Sequence, residues 1–426
     1  MRIGYACLTI GVENAKLQHA LLRTINEEKL HQIIDHNLNV LEKVLRYNRA
    51  HGIFMFRMSS DLIPFGSSYA RQFSWRERFS DRLQAIGNYI QHEGIRVSMH
   101  PGQYTVLNSP RFEVVEAAIA DLDYHAEFMD ALGVDASHKI ILHIGGVYGD
   151  RLAAMKRFGE VYRTLSERVK ARLVIENDDV NYPFDDVYQL AVEWDIPMVF
   201  DNLHHEVLPS PSGIKDLEAI ELARKTWAKR DGVQKIHYSQ QHANKAAGAH
   251  SDTIALIPFL KLLSRIQRND LDVMLEVKDK NLSAVKANLA VQSATTIQDL
   301  EREWALYKYA VLEHDPTRYE AIRMLLKDKQ IAPVLEFYDL VDSAIDEPIQ
   351  IGRAENALRH VFGHLSNKMS EKERIRFNKL IDSYRSGARS LKACKNYLWK
   401  FVVSQNETYL RQSLYFSALR PTSDMD

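Results

Sequence analysis

Short runs of β-branched and apolar residues alternate with longer segments of helical period along the first 280 residues of the chain. Eight of these runs predict strands, at Arg2–Ala6, Ile53–Met58, Ile95–Met99, Ile140–His143, Leu173–Glu176, Met198–Asp201, Lys235–Tyr238 and Asp272–Val277. Seven helical patterns accompany them, at Glu28–Ala50, Arg78–His92, Val114–Leu132, Ala153–Lys170, Asp185–Trp194, Lys215–Lys229 and Thr253–Gln267. This alternation predicts βαβ units and a parallel sheet. Eight such units match an α/β fold of the (β/α)8 barrel type, for which about 250 residues are typical.

A doubly wound open sheet is the competing architecture. Such a sheet usually opens with a Gly-rich phosphate-binding loop after its first strand. The turn after Arg2–Ala6 has the sequence CLTIGVEN and contains no G-x-G-x-x-G pattern. The barrel is therefore favoured, and we expect no nucleotide cofactor.

The character of the sequence changes after about Asp279. Residues 296–416 contain few β-branched runs and six helical patterns, at Ile297–Tyr309, Thr317–Leu326, Val334–Val341, Arg353–Val361, Glu371–Ser383 and Ser390–Leu398. We therefore expect two domains, a barrel over residues 1–285 and an all-α C-terminal domain over residues 296–420, with a frayed tail at Pro421–Asp426.

The charge and cysteine content exclude some classes of protein. The 426 residues include 55 Lys and Arg against 56 Asp and Glu, a formal net charge of −1. This balance excludes a globally basic nucleic-acid binder but leaves room for a local basic face. Cys7 and Cys394 are too few for a disulfide scaffold, and we expect a reducing cytoplasm. No stretch approaches the ~18 apolar residues of a membrane span.

Six consecutive predicted strands, the third to the eighth, end in residues of metal-ligand type. In chain order these are His100, His143, Glu176, Asp201, His237 and Glu276. The C-terminal ends of barrel strands converge on one face, where active sites form, so these side chains would meet there. His204 and His250 lie in the loops that follow and could reach the same centre.

Imidazoles and carboxylates gathered in this way need a shared cation, because otherwise they repel one another or lose hydration without compensation. A single His or Asp at a strand end is more often a structural hydrogen-bonding residue, but six in succession favour a polynuclear metal site. No Cys is near, so nitrogen and oxygen ligands suited to Zn or Mn are expected. Glu176 and Asp201 are of the type that bridges two ions about 3.5–4 Å apart, which activates water and clamps a phosphate.

Lys235 lies two residues before His237, and strand alternation places both side chains on one face. An ammonium group beside metal ions is unfavourable unless it is neutral, paired or modified. Two interpretations stay open here. Lys235 is either carbamylated and acts as an anion, or it forms an ordinary salt bridge with Asp201 or Glu276.

Aromatic and cationic residues are interleaved in the loop after the second strand, at Tyr69, Arg71, Phe73, Trp75 and Arg76. The mixture suits phosphate contact and base stacking, although helix N-termini that pack an aromatic ring on the core have a similar pattern. Gln103 and Tyr104 follow His100 closely and are expected at the mouth of the barrel.

At these positions the sequence resembles the UV damage endonuclease family, a group of metal-dependent DNA repair nucleases. The resemblance is carried, in family order, by Arg57–Pro64 (RMSSDLIP), His100–Tyr104 (HPGQY), His143–Gly146 (HIGG), Glu176–Asp179 (ENDD), Asp201–His205 (DNLHH), Lys235–Ser239 (KIHYS) and His250–Asp252 (HSD). It covers residues 1 to about 285. The last 120 residues lie outside it and are similar, around Tyr384–Gly387, to a helical domain of unknown function in other bacterial proteins.

The resemblance implies a TIM barrel with up to three divalent metal ions, of which Mn is the first expectation and Zn or Co the alternatives. It implies one ion held by His100, His143 and Glu176, a second held by Glu176, Asp201, His237 and Glu276, and a third held by His204 and His250. The expected catalytic residues are Glu176, Lys235 and Glu276, and Lys235 matches the lysine that this family can carry in modified form.

The same resemblance implies contacts with damaged double-stranded DNA. Gln103 and Tyr104 match the pair that enters the duplex opposite the lesion, and Tyr5 matches a residue of the damage pocket. Thr9 departs from the family pattern, in which Asn is expected. We expect Arg57 and Arg71 to belong to a local basic face, and the protein to be monomeric.

The expected reaction is hydrolysis of the phosphodiester 5′ to a UV photoproduct, with other lesions left open, by hydroxide that the metal cluster activates. One alternative is a metal-dependent sugar isomerase or epimerase on the same kind of barrel, which needs about two metals and an acid–base pair. A second alternative is a non-catalytic DNA-binding or scaffolding protein that works through its helical domain.

Overall fold

Eight parallel strands close into a barrel in chain order in the computed structural model, which describes residues 1–417 and residue 419. The strands are β1 Arg2–Ala6, β2 Met55–Met58, β3 Arg96–Met99, β4 Lys139–His143, β5 Leu173–Glu176, β6 Met198–Asp201, β7 Gln234–Tyr238 and β8 Leu271–Leu275. The predicted fold class, an α/β barrel followed by an all-α region, is confirmed. The predicted frayed tail, Pro421–Asp426, lies outside the described residues.

The strand sequences are nearly continuous apolar runs because both faces of a parallel barrel sheet are buried, one inside the barrel and one beneath the helices. β5 and β6, for example, are buried at every position. Gly4 in β1 is required by close strand packing, since a Cβ at this position would lie 2.1 Å from the Met55 carbonyl oxygen. The register pairs His143 with Glu176 and Asp201 with His237, which brings ligand-type side chains to one level at the C-terminal end of the barrel.

Ten helices follow the strands in the barrel portion, and an eleventh begins there and continues past residue 285. They are α1 Glu27–Ala50, α2 Trp75–Arg78, α3 Ser80–His92, α4 Phe112–Ala131, α5 Arg151–Thr164, α6 Glu167–Arg172, α7 Phe184–Trp194, α8 Asn202–Val207, α9 Asp216–Arg224, α10 Leu256–Ile266 and α11 Asn281–Val291. The single helix predicted at Ala153–Lys170 is two helices, because Leu165 and Ser166 are extended.

Two further differences concern the strand ends. β8 ends at Leu275, so Glu276 lies in the turn after the strand rather than within the predicted Asp272–Val277 run. Helix α8 begins directly after β6, where the sequence pattern predicted no helix. Asp201 caps it, because the Asp201 carboxylate accepts a hydrogen bond from the His204 N–H at 2.9 Å.

Buried ion pairs fill the opposite, N-terminal end of the barrel. Arg96 at the start of β3 contacts Asp272 of β8 at 2.9 Å, and Lys139 at the start of β4 contacts Asp231 at 2.5 Å. Each of these four residues is less than a tenth exposed. The charged side chains at this end of the barrel thus neutralise one another in pairs.

The chain divides into two compact units. One comprises residues 1–9 and 14–285, and the other comprises residues 10–13 and the chain from Lys286 onward. The second unit contains α12 Ile297–His314, α13 Pro316–Leu325, α14 Val334–Ile345, α15 Ile351–Leu365, α16 Glu371–Arg385, α17 Leu391–Ser404 and α18 Thr408–Gln412. Residues 286–291, which the prediction placed in neither domain, belong to α11. Among the described helices, none combines the length and the apolar character that crossing a membrane requires.

Candidate metal centre at the strand ends

The C-terminal strand ends bring five of the predicted ligands into two tight groups. His100, His143 and Glu176 form one group, and Glu176, Asp201 and His237 form the other. Within each group the ligand atoms lie within 4.8 Å of one another. Glu176 belongs to both groups, so its carboxylate stands where a bridging ligand between two ions would be needed.

The two oxygens of Glu176 face different imidazoles. Oε1 lies 2.7 Å from His237 Nδ1, while Oε2 lies 3.4 Å from His100 Nε2 and 3.8 Å from His143 Nε2. The carboxylate is almost fully buried, at 1% exposure. Burial acts to raise the pKa of Glu176, but His237 and His100 outweigh it and hold the pKa well below the ordinary value. Glu176 is therefore an anion at neutral pH.

Backbone carbonyls fix the orientation of two of the imidazoles. His100 Nδ1 lies 2.9 Å from the Pro101 carbonyl oxygen, and His204 Nδ1 lies 2.8 Å from the Asn177 carbonyl oxygen. A carbonyl oxygen only accepts hydrogen bonds, so Nδ1 is the donor and Nε2 of a neutral ring carries the lone pair. Lone pairs of His100 and Glu176 then face each other across 3.4 Å, which favours a cation between them.

Several buried ligand atoms have no hydrogen-bond partner within the described part of the chain. They are Glu176 Oε2, Asp201 Oδ2, His143 Nδ1 and His237 Nε2. Buried polar atoms are nearly always satisfied in folded proteins, so a group of orphaned nitrogen and oxygen atoms indicates a missing partner. A set of imidazole and carboxylate donors without thiolate fits a cluster of divalent ions such as Mn or Zn.

The remaining predicted ligands lie beside these groups. Glu276 Oε1 is 3.2 Å from His237 Nδ1, and His204 Nδ1 is 3.9 Å from Asp201 Oδ1. Burial acts to lower the pKa of His204, but Asp201 and Glu176 raise it to about 9. Burial lowers the pKa of His250, although the charges of Glu276 and Asp201 act to raise it. In the described chain these three residues do not complete a third tight group.

Two asparagines that directly follow ligands connect neighbouring strand ends. The Asn177 side chain accepts from the Asp201 N–H and donates to the Asp201 carbonyl, both at 3.0 Å. Asn202 does the same one strand further on, with the Ser239 N–H and carbonyl, both at 2.9 Å. The motifs that contain both asparagines were recognised in the sequence, but neither side chain was assigned a role. Their repeated position, one residue after a ligand at a strand end, is the signal that could have identified them.

Arg57 is paired with Glu276, although it was predicted to belong to a basic DNA-contacting face. Its guanidinium is mostly buried and forms a short hydrogen-bonded ion pair with the Glu276 carboxylate. Burial acts to raise the pKa of Glu276, whereas Arg57 and His237 lower it below its ordinary range. Arg57 therefore keeps Glu276 ionised in the interior. Arg71, by contrast, is exposed on a short 3-10 helix, Tyr69–Gln72.

Lys235 is completely buried, and its Nζ has no hydrogen-bond partner among the described residues. The salt bridge with Asp201 or Glu276 that the sequence left open is not formed in the described chain. Burial, followed by the nearby guanidinium of Arg96, lowers the pKa of Lys235 well below its ordinary value. The environment therefore favours an uncharged amine or a modified one.

Tyr5, predicted to line a damage pocket, is fully buried at the end of β1. Its hydroxyl lies 2.7 Å from Thr9 Oγ1 and donates to Asn48 Oδ1 at 2.8 Å. Thr9, which stands in place of the expected Asn, thus takes part in fixing Tyr5. Both hydrogen bonds hold the ring in one orientation.

A cleft of about 750 Å³ opens beside the ligands. Its walls include His100, His143 and His204 together with Gln103 and Tyr104. The Tyr104 ring is 72% exposed and lies over Gly102, where a Cβ would come within 2.4 Å of it. An exposed aromatic side chain next to a metal-type site is available to stack on a base.

A buried polar group supports the loop that carries His100 and Tyr104. The Ser60 hydroxyl lies 3.1 Å from the His100 carbonyl oxygen and 2.8 Å from His125 Nε2. Thr105, which follows Tyr104, donates to the Asp121 carboxylate at 2.6 Å. His125 and Asp121 lie one turn apart on α4, and neither was singled out from the sequence. Helical spacing alone does not distinguish them from surface residues.

Comparison with known proteins gives two family matches along the chain. A model described as UV-endonuclease UvdE matches residues 1–306. A second model, for a protein of unknown function designated DUF1722, matches residues 308–419.

Curated relatives and a solved structure agree with the first match. The chain is 38% identical over 410 residues to a UV DNA damage endonuclease of Clostridium perfringens (strain 13 / Type A). The alignment covers 94% of this chain and 96% of that protein. The chain is 32% identical over 263 residues to a UV DNA damage endonuclease of Bacillus mycoides (strain KBAB4), covering 61% and 82% respectively. The crystal structure of SacUVDE is similar with a TM-score of 0.63 and 37% identity, covering 67% of this chain and 96% of that one.

Proposed function

The chain belongs to the UV-endonuclease UvdE family, and from this premise we propose that it is a DNA repair endonuclease acting on damaged double-stranded DNA. The proposed cut is hydrolysis of the phosphodiester 5′ to a UV photoproduct. One observation carries the proposal. Glu176 joins two groups of buried, unsatisfied metal-ligand atoms at the edge of a cleft that also contains the exposed Tyr104.

The proposed metal ligands are His100, His143, Glu176, Asp201, His204, His237, His250 and Glu276, with up to three divalent ions. Manganese is the proposed ion, with Zn or Co as alternatives. Bound divalent ions would supply Lewis acidity and a nucleophile at neutral pH, and would neutralise charge on the phosphate. The protein's own contribution is to keep Glu176 and Glu276 ionised and to fix the His100 and His204 rings through their Nδ1 atoms.

Individual residues have distinct proposed tasks. Glu176 and Glu276 are proposed as catalytic residues because they are buried anions at the centre, and Arg57 maintains the charge of Glu276. Asn177 fixes the β6 end that carries Asp201. Gln103 and Tyr104 enter the duplex and stack on bases, and damage assists this step because a lesion lowers the cost of unstacking. Tyr5 supports the wall of the damage pocket.

Lys235 is proposed to act in carboxylated form. Its neutral amine would add to CO₂, forming a C–N bond and releasing a proton, and the resulting carbamate anion would join the ligand set. Support comes from the buried Nζ without a hydrogen-bond partner in the described chain. Native mass spectrometry should find one added CO₂ in the wild-type protein and none in Lys235→Met. An active wild-type protein that carries no added CO₂ would contradict this assignment.

We also propose that residues 1–285 form the catalytic domain and that residues 296–420 form a helical accessory domain in a monomeric, cytoplasmic enzyme. Cys7 and Cys394 are free thiols, which is consistent with a reducing compartment. The barrel alone is also compatible with sugar isomerisation, but the sequence relationship favours the nuclease.

The proposed function is tested by nicking of supercoiled plasmid, UV-irradiated or unirradiated, with Mn²⁺ or with EDTA. The expected result is conversion to the open-circular form that requires both irradiation and metal. The 5′ position is tested by mapping the cut on an end-labelled duplex that contains one photoproduct. Absence of nicking by folded, metal-loaded protein would contradict the proposal.

A further inference from the structure

Charge is distributed unevenly along the helical unit. Residues 297–347 contain six Lys and Arg against twelve Asp and Glu, whereas residues 371–400 contain nine Lys and Arg against three Asp and Glu. The second stretch corresponds to α16, α17 and the short connection between them. A segment this basic within a nearly neutral protein creates a local positive potential.

The cations of α16 lie on one face of the helix. Lys372, Arg376 and Lys379 are spaced four and three residues apart, which places them on one side, and all three are exposed. The buried stripe of the same helix consists of Phe377, Ile381 and Tyr384. The helix is therefore amphipathic with a cationic outer face, and packing of its apolar stripe fixes the direction of that face.

The connection and the following helix carry further exposed cations. Lys392 and Lys400 of α17 are both exposed and lie within about a quarter turn of each other around the helix, and Arg389 is exposed in the connection. The Arg376 guanidinium lies 5.7 Å from the centre of the Tyr397 ring, so the cationic side of α16 borders α17. We call Lys372, Arg376, Lys379, Arg389, Lys392 and Lys400 the basic hairpin face.

The acidic residues of this segment are engaged locally. Glu371 pairs with Arg374 at 3.3 Å, Asp382 pairs with Arg385 at 3.8 Å, and Glu373 accepts from the Ser370 N–H at 2.8 Å in the cap of α16. In the part of the chain that the structure describes, none of the six cations of the basic hairpin face has a carboxylate within ion-pair distance. The face thus keeps its full positive charge for an external partner.

We infer that the basic hairpin face binds the phosphate backbone of duplex DNA, independently of base sequence and of damage. Exposed Lys and Arg side chains on rigid helices bind phosphates by charge and release counterions as they do so. The choice of DNA as the anionic partner rests on the proposed function, because that function already brings the chain to duplex DNA. A second contact on the same chain raises the local concentration of DNA at the barrel.

The test compares two variants of the full-length chain with equal loss of charge. One is Lys372→Gln/Arg376→Gln/Lys379→Gln. The matched control is Lys43→Gln/Lys261→Gln/Lys327→Gln, which replaces three exposed lysines elsewhere, on α1, on α10 and in the turn after α13. Affinity for an undamaged linear duplex is measured by fluorescence anisotropy over a range of KCl concentrations. Thermal melting verifies that both variants are folded, as expected for exposed positions.

The expected result is that the first variant weakens binding roughly tenfold and flattens the slope of log Kd against log salt by about 0.9 for each lost phosphate contact. The control variant should follow the wild type, and Lys392→Gln/Lys400→Gln should change in the same direction as the first. If the first variant and the control bind the duplex with the same affinity and the same salt dependence, the inference is overturned, whether or not both bind more weakly than the wild type. That result would favour an acidic protein surface as the partner of this face. Plasmid nicking by the wild type is scored separately. Failure of the proposed nuclease function is therefore distinguishable from failure of the DNA contact at the basic hairpin face.

Discussion

His237 Nδ1 lies 2.7 Å from Glu176 Oε1, and this contact links the ends of β7 and β5 across the C-terminal mouth of the barrel. It engages one oxygen of Glu176 and one nitrogen of His237. The second carboxylate oxygen, Glu176 Oε2, and the second ring nitrogen, His237 Nε2, are both buried without a hydrogen-bond partner in the described chain. The geometry is that of side chains oriented for a shared cation.

Divalent metal should therefore stabilise the folded protein. Binding to the native state alone contributes about 2.7 kcal/mol when the free metal is about one hundred times its Kd. We predict that Mn²⁺ raises the Tm of the wild type by several degrees relative to EDTA, and that His237→Ala loses most of this increase. His92→Ala serves as the control, because His92 is exposed on α3. Equal metal-dependent shifts in both variants would contradict this placement of the ions.

Tyr104 should contribute to incision without contributing to stability. Its ring is 72% exposed, so Tyr104→Ala leaves no buried cavity. Loss of one base–aromatic stack costs about 1–3 kcal/mol, which corresponds to a decrease of roughly tenfold or more in incision of irradiated DNA. Leu152→Ala, at a comparably exposed position on α5, should cut at the wild-type rate. Tyr104→Ala with unchanged kcat/KM would exclude a stacking role.

Asn177 is predicted to be a positioning residue for Asp201. Asn177→Asp keeps the size and the acceptor for the Asp201 N–H but replaces the N–H₂ that donates to the Asp201 carbonyl. The supporting groups of metal ligands typically contribute 10–100-fold to metal affinity or activity. We expect a loss in that range in metal affinity by competition with a chelator. Asn39→Asp on the exposed side of α1 is the control, and an unaltered affinity in Asn177→Asp would refute the role.

Glu303 should make the stability of the helical unit depend on pH. Burial raises the pKa of Glu303 to about 7, despite the hydrogen bond that Tyr338 donates at 2.9 Å. Since the unfolded value is about 4.3, the native state binds a proton that the unfolded state lacks between these two pH values. The contribution of protonated Glu303 to the free energy of unfolding is therefore fully present below about pH 4.3 and is lost as the pH rises to about 7. The loss amounts to a few kcal/mol at most.

Chemical denaturation of Glu303→Gln and wild type at several pH values measures this effect. The difference in unfolding free energy between the two should change across the interval and become constant above it. Glu336→Gln, an exposed position on α14, should show no such change relative to the wild type. A constant difference between Glu303→Gln and wild type across the interval would contradict the raised pKa.

The barrel and the positions of the ligands could be predicted because they depend on local patterns. Parallel strands are apolar runs, and their C-terminal ends meet by topology, so the sequence was sufficient to place His143 of β4 beside Glu176 of β5. The family assignment was likewise confirmed by the relatives and the solved structure. Roles of single residues in metal binding and catalysis stay predictions.

Pairings between distant side chains could not be read from the sequence. The expected exposed role of Arg57 did not anticipate its ion pair with Glu276, 219 residues away. The same holds for the contact between Ser60 and His125, and for the absence of an ion pair at Lys235 in the described chain. Helix α8 was missed because six residues are too few to show a helical period. Such features depend on which side chains the closed barrel brings together.

Glu176→Gln tests the central claim most directly, since it changes the charge of the shared carboxylate and little else. Incision of a duplex with a single UV photoproduct is compared for wild type, Glu176→Gln and the exposed control Glu193→Gln on α7, each with Mn²⁺. We predict that Glu176→Gln lowers the rate by more than about 10²-fold, because groups that only support metal ligands already contribute about 10–100-fold and Glu176 is itself the ligand that both groups share. Glu193→Gln should cut like the wild type. Wild-type incision by folded Glu176→Gln would show that the strand-end cluster is not the catalytic centre.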